Sequence, residues 1–229
     1  MPNMNKRIDM LRDGSIGKTL FKLSAPAVLG MVVMAVYNVV DTAYVSMLRD
    51  TTAIAATGLV FPLFQLTGAV GLTFGLGAAS VISRRLGEND YKAANEAGST
   101  AFYTSLVIGI ALSIAGAVFV FPILKAFGAT DSIISTASLY GRVILGGSVF
   151  QVLNMTVNNL LRSEGASIHS STGQILGAVL NIILDPIFIF LLDMGITGAA
   201  VATIISQAAS TIFLLSYYAS RRGVINPLD

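Results

Sequence analysis

Long apolar runs follow one another through this chain with only short polar breaks, over about 20–46, 53–83, 98–124, 139–161, 172–192 and 196–218. Inside hydrocarbon every backbone N–H and C=O must find a partner within the protein, so apolar segments of about 20 residues can cross only as helices. Composition agrees, with 54% hydrophobic and 11% charged residues, where an average soluble domain carries about 25% charged residues. The runs predict an all-α membrane protein, a six-transmembrane-helix bundle over 20–218. Segment 1–19 has Lys6, Arg7, Arg12 and Lys18 spaced among Ile8, Met10, Leu11 and Ile16, which suits a cytoplasmic segment lying on headgroups. Residues 219–229 read as a polar cytoplasmic tail or a linker.

Charge counting sets the orientation. Six spans put both termini on one side, and that side collects eleven Lys/Arg, including Arg84, Arg85, Lys92 and Arg162, against two, Arg49 and Lys125, on the other. The imbalance predicts that both termini are cytoplasmic. Arg142 lies at or inside the fourth span and reads as a snorkelling side chain. The segment 84–92 is the most charged in the chain and reads as an aqueous loop.

Several chemistries are excluded. With no cysteine there is no disulfide, thiol nucleophile or thiolate metal site, and one histidine, His169, rules out a multi-histidine site. His169 itself reads as a solvated loop residue. No basic strip interleaved with aromatics points to nucleic acid. Gly71 and Gly75 form a GxxxG, read as close helix packing rather than a phosphate loop.

Twelve acidic residues are present, and only Asp41 and Asp185 fall inside spans. A carboxylate at that depth costs roughly 2.5 to 3.5 kcal/mol on insertion scales and is by default a functional-site hypothesis. At 1.5 Å per residue Asp41 lies about 12 Å below Arg49, Asp185 about 12 Å below Asp193, and Thr203 about 10 Å deep from the same side. Helical spacing puts Tyr37 and Asn38 on the Asp41 face and Asn181 on the Asp185 face. Pro186 removes the donor for the Ile182 carbonyl, and Pro26 does the same for Lys22, so both are candidate bending points. The set is all oxygen, suited to protons or a hard cation such as Na+ and unsuited to zinc or copper. Two carboxylates sharing a dehydrated site titrate as a coupled pair.

Plainer roles stand beside these. A buried aspartate can serve only to tie helices together, a membrane threonine often bonds its own preceding turn, and Asn154, Asn158 and Asn159 in span four either line a polar cavity or join helices.

The residues resemble a known family. The run 180–190, with Asn181, Asp185 and Pro186, followed by Gly195-Ile-Thr-Gly198-Ala-Ala-Val-Ala-Thr203, is similar to the fifth and sixth helices of the multidrug and toxic compound extrusion (MATE) transporters. So are Ser83-Arg84-Arg85-Leu-Gly87-Glu-Asn-Asp90, Pro26 and Asp41 in span one, and Leu161-Arg162-Ser163-Glu-Gly165. The likeness runs from about residue 15 to the end. It implies one lobe of a two-lobe, cation-coupled exporter of bulky, often cationic organic compounds across a bacterial or archaeal cytoplasmic membrane.

By that resemblance Asp41, Asn181, Asp185 and Thr203 are the coupling-cation (H+ or Na+) set with Tyr37 beside it, Pro26 and Pro186 are bends, and Asn38, Asn154 and Asn158 line the cavity. The expected partners are organic substrates, membrane lipid and a second six-helix lobe in cis or in trans. No cofactor and no enzymatic activity are expected. A lipid-linked saccharide flippase on the same architecture would need a more cationic cavity than Arg142 alone supplies. An intramembrane aspartyl protease is the alternative of another class, but no GxGD-like motif surrounds Asp185.

Overall fold

The structure, a computed structural model, describes residues 15–228. The interfacial segment expected over 1–19 lies, up to residue 14, outside the described residues. Among the described residues the α-helices are α1 (Ile16–Met47), α2 (Thr51–Gly87), α3 (Tyr91–Ala126), α4 (Ile134–Gly146), α5 (Ser148–Ser163), α6 (Ser167–Pro186) and α7 (Gly195–Ala219). A π-helical turn, Ile187–Leu191, continues α6. Five helical stretches are long and apolar enough to cross a bilayer: 24–47, 51–87, 91–126, 167–191 and 195–219. The chain is a multi-pass, all-α membrane protein.

Where one span was expected over 139–161, the structure has two helices, α4 and α5, meeting at Gly147. At 13 and 16 residues, neither would cross a core of about 30 Å alone. The break is held from outside. Ser113 Oγ of α3 accepts from the Val149 N–H at 2.8 Å, and a Cβ on Gly147 would meet the Ile204 side chain at 2.4 Å. The fourth run is therefore irregular where α3 and α7 press on it.

The aqueous loop expected over 84–92 is also shorter than its charge suggested. Helix α2 runs on to Gly87 and α3 begins at Tyr91. At 37 residues, α2 is about 55 Å long and outruns a 30 Å core, so Arg84 and Arg85 ride on a projecting helix end. Asp90 caps α3, its Oδ1 accepting from the Ala93 N–H at 3.0 Å.

Packing is inverted relative to a soluble bundle. Large apolar side chains such as Leu66, Val107, Ile114, Val118 and Ile212 are exposed, as a lipid-facing surface requires. Inside lie small and polar residues together with apolar clusters at the two ends. Ile82, Leu86, Phe102, Leu160, Leu161 and Tyr218 pack at the end where α2 meets α3. Ala53, Val60, Leu124, Ile144 and Ile196 pack at the opposite end. The glycines of α2 bring it against α5: a Cβ on Gly71 would lie 2.4 Å from the Val152 carbonyl oxygen, and Thr156 Oγ1 donates to the Gly71 carbonyl at 3.1 Å. Helix α1 packs chiefly on α6 and leaves Val28, Met31, Val32 and Val39 exposed.

The tail is folded back rather than loose. Glu164 Oε2 accepts from the Val224 N–H at 2.7 Å and the Ile225 N–H at 3.3 Å. Asn95 Oδ1 accepts from the Asn226 N–H at 2.6 Å, and Tyr103 Oη donates to the Leu228 carbonyl at 3.1 Å. Ile225 is buried in the apolar cluster at that end. His169 also departs from the sequence reading. It lies on α6, half-buried, stacked on Phe213 at 4.5 Å between ring centroids.

Candidate functional site

Helix α6 carries Asn181 and Asp185 one turn apart on its inward face, and both are buried. The π-helical turn begins immediately after Pro186, which has no N–H to give the Ile182 carbonyl. There the bonding shifts to i→i+5, with the Leu192 N–H donating to the Ile187 carbonyl at 2.9 Å. Proline alone does not produce this, because Pro62 and Pro122 sit inside uninterrupted α2 and α3. What differs is Gly198 of α7, whose missing Cβ lets the Phe188 backbone approach to 2.6 Å of where a Cβ would stand. Pro26 likewise lies within a continuous α1.

Asp185 lies at a meeting of three helices. Thr203 of α7 accepts from Asn181 Nδ2 at 3.4 Å. Asp41 of α1, half-buried, is near enough to Asp185 for the two carboxyl groups to interact directly, and the Tyr37 hydroxyl reaches Thr203 and feels both carboxylates. Four oxygens here are buried without a donor: Asp41 Oδ1, Asn181 Oδ1, Asp185 Oδ1 and Asp185 Oδ2. Buried acceptors are normally paired, and two ionised carboxylates side by side have only acceptors to offer each other. The arrangement is chemically complete when a proton sits between the carboxylates, or a hard cation among the oxygens.

Among the described residues no group of three or more His, Cys, Asp or Glu side chains comes together as a metal cluster. The donor set does not suit a transition metal.

A cavity of about 40 Å³ opens beside these groups, enough for water. Its lining includes Tyr37, Asn154, Gln174, Asn181, Thr203 and Ser206. The sequence-derived set divides here. Tyr37, Asn154, Asn181 and Thr203 line the cavity, whereas Asp41 and Asp185 do not line it themselves. Asn38 does not. It is exposed and its amide returns to the Met34 carbonyl of its own helix at 2.8 Å, because residues 38 and 41 share a face only approximately at 100° per residue. Asn158 is buried behind the wall, donating to the Asn154 carbonyl and Oδ1, both at 2.9 Å. Asn159 bonds the Met155 carbonyl at 2.8 Å. These two belong to helix packing.

Other residues join the site without having been singled out. Tyr140 of α4 is close enough to Asp41, Tyr37 and Asp185 to feel their charge. Gln174 and Ser206 line the cavity. The signal for Gln174 was available, since it lies four residues after Ser170 and seven after Ser167 and so continues their polar face of the helix.

The MatE family profile matches residues 26–187. The multidrug export protein MepA of Staphylococcus aureus (strain MRSA252) is 30% identical over 209 residues, which are 91% of this chain and 46% of MepA. MepA of Staphylococcus saprophyticus is 30% identical over 211 residues, 92% of this chain and 47% of the relative. An outward-facing multidrug resistance MATE transporter of the MOP superfamily superposes with a TM-score of 0.91 at 33% identity, over 96% of this chain and 49% of that one. A MOP-superfamily transporter from Pyrococcus furiosus gives 0.90 at 33% identity and the same coverage. The chain spans about half the length of the curated relatives it matches. With the profile match covering most of its length, the chain belongs to the MATE family of transporters.

Proposed function

We infer that this chain is the N-terminal six-helix lobe of a cation-coupled antiporter that exports bulky, often cationic organic compounds across the cytoplasmic membrane of a bacterium or archaeon. In this reading α4 and α5 together form one span, and both termini face the cytoplasm. A second lobe, in cis or in trans, covers the exposed face of α1, and the organic substrate passes between the lobes. Membrane lipid covers the rest.

The single observation that carries the reading is the group of four buried, donor-free oxygens of Asp41, Asn181 and Asp185 beside the Thr203 hydroxyl. Occupation by H+ or Na+ changes the charge between α1 and α6, and so biases the shape of the two helices that carry Pro26 and Pro186. Substrate binding to one shape and cation binding to the other is sufficient for exchange. The relatives named as multidrug exporters support the same substrate class.

The test is efflux of a fluorescent organic cation from cells producing the two-lobe transporter. Asp185→Asn should abolish efflux driven by the cation gradient at unchanged protein level. Efflux at the wild-type rate would remove the coupling role.

A further inference from the structure

We propose that Arg162 is the electrostatic plug that closes the interior of this lobe to cations at its tail-side end, so that the coupling ion leaves its site by the cleft between the lobes and not through the lobe itself. The inference rests on the reading of Asp41 and Asp185 as a cation site.

Every other Lys or Arg with a described side chain is exposed, whereas Arg162 is half-buried. It sits in the last turn of α5, two residues before the Glu164 that holds the docked tail, yet its guanidinium turns inward. Nε donates to Ser170 Oγ at 3.1 Å and Nη2 to Gln174 Oε1 at 3.1 Å. Both acceptors are neutral, and among the described residues no carboxylate pairs with it. Its positive charge is therefore held in place without being cancelled.

That position is the end of a continuous polar column. Ser170 Oγ donates to Asn158 Oδ1 at 2.7 Å, Asn158 Nδ2 to Asn154 Oδ1 at 2.9 Å, and Asn154 Nδ2 to Ser210 Oγ at 2.9 Å. Asn154, Ser210 and Gln174 all line the cavity that reaches Asn181 and Thr203. The column is closely packed, but water entering among its amides and hydroxyls would open a route by which a proton or a cation could leave the site through the lobe. A fixed guanidinium across such a route excludes cations by charge, the device that water-selective pores use against protons and metal ions. In transport terms the plug prevents slippage.

The experiment uses the two-lobe transporter in liposomes, without organic substrate. A pH-sensitive dye reads proton entry and a sodium dye reads Na+ entry under an imposed gradient. Arg162→Gln should raise entry of the coupling ion about tenfold, the factor that accompanies a barrier lowered by about 1.4 kcal/mol. Arg162→Lys should stay as tight as the wild type. Gln174→Glu, which keeps the contact but pairs the charge, should leak like Arg162→Gln, and it decides the matter if Arg162→Gln does not fold. Tight vesicles with Gln174→Glu or with folded Arg162→Gln would overturn the plug, as would a leak with Arg162→Lys equal to that of Arg162→Gln. If wild-type vesicles, loaded in a parallel assay with a fluorescent organic cation, show no cation-driven flux of it, the proposed function fails first. If they do and the variants stay tight, only the plug falls.

Discussion

Asn181 gives its amide hydrogen to Thr203 across the α6–α7 contact at 3.4 Å, which leaves Asn181 Oδ1 buried without a donor, one helical turn from the unpaired Asp185 carboxylate. Thr203 is thus both a ligand candidate and the group that orients a ligand. Removing its hydroxyl while keeping its shape separates these roles from packing. Thr203→Val should weaken stabilisation of the purified protein by the coupling cation, with affinity falling about tenfold if one hydrogen-bonded ligand worth ~1 to 1.5 kcal/mol is lost. A Thr203→Val protein stabilised as strongly as the wild type at each cation concentration would take Thr203 out of the site.

Asp41 is half-buried and lies on α1, the helix least covered by the rest of the lobe. If it shares the cation with Asp185, Asp41→Asn should remove the Na+- or pH-dependent shift in melting temperature while preserving a cooperative transition. A retained shift of wild-type size would make Asp185 a one-carboxylate site.

The GxxxG of α2, Gly71 and Gly75, is a packing device, whereas the nearby Gly77 lies outside it. A Cβ at Gly71 would strike the Val152 backbone, whereas one at Gly77 meets nothing within 4 Å. Gly71→Ala should lower stability by about 1 to 3 kcal/mol, the usual cost of overpacking against an unyielding neighbour. Gly77→Ala should be neutral or slightly stabilising through helix propensity. Thermal melts in detergent compare the two directly, and equal melting temperatures would contradict the α2–α5 contact.

Much of the site was legible because a carboxylate inside an apolar run carries a large penalty, so Asp41 and Asp185 could be found by inspection and Thr203 by counting depth. Helical spacing was a weaker guide. It put Asn38 beside Asp41, but the Asn38 amide had a closer partner in its own backbone. Tyr140 and Gln174 escaped notice because a lone tyrosine or glutamine in a membrane helix has several ordinary explanations. The break at Gly147 and the docked tail were not legible at all. Both depend on partners far away in sequence: Ser113 and Ile204 for the first, Asn95, Tyr103 and Glu164 for the second.

Asp50 caps α2 from the exposed α1–α2 turn, accepting from Thr52 Oγ1 at 2.6 Å and the Thr52 N–H at 2.8 Å. These bonds, the hydroxyl's first, hold its carboxyl below the usual aspartate range. A depressed folded value means that the cap is fully present above the unfolded aspartate pKa and is lost as pH falls through the folded one. Amide exchange at Thr52 should therefore stay protected, relative to intrinsic rates, through mildly acidic pH and rise only below the ordinary aspartate range. In Asp50→Ala that protection should be missing at every pH.

Pro186 and Gly198 make separable contributions to the π-helical turn beside the site. Pro62 and Pro122 leave their helices intact, so a missing N–H is tolerated where nothing forces the backbone to rearrange. At Phe188 something does, because α7 approaches closely enough that only a glycine fits at 198. Pro186→Ala should therefore keep the π-helical turn, with the Leu192 amide still protected through its bond to the Ile187 carbonyl. Gly198→Ala should push α7 away from Phe188, lower stability by about 1 to 3 kcal/mol and expose the Leu192 amide. Hydrogen exchange over 187–194 distinguishes the two. Were Pro186→Ala to abolish protection while Gly198→Ala left it unchanged, the proline rather than the α7 contact would be what shapes the turn that follows Asp185.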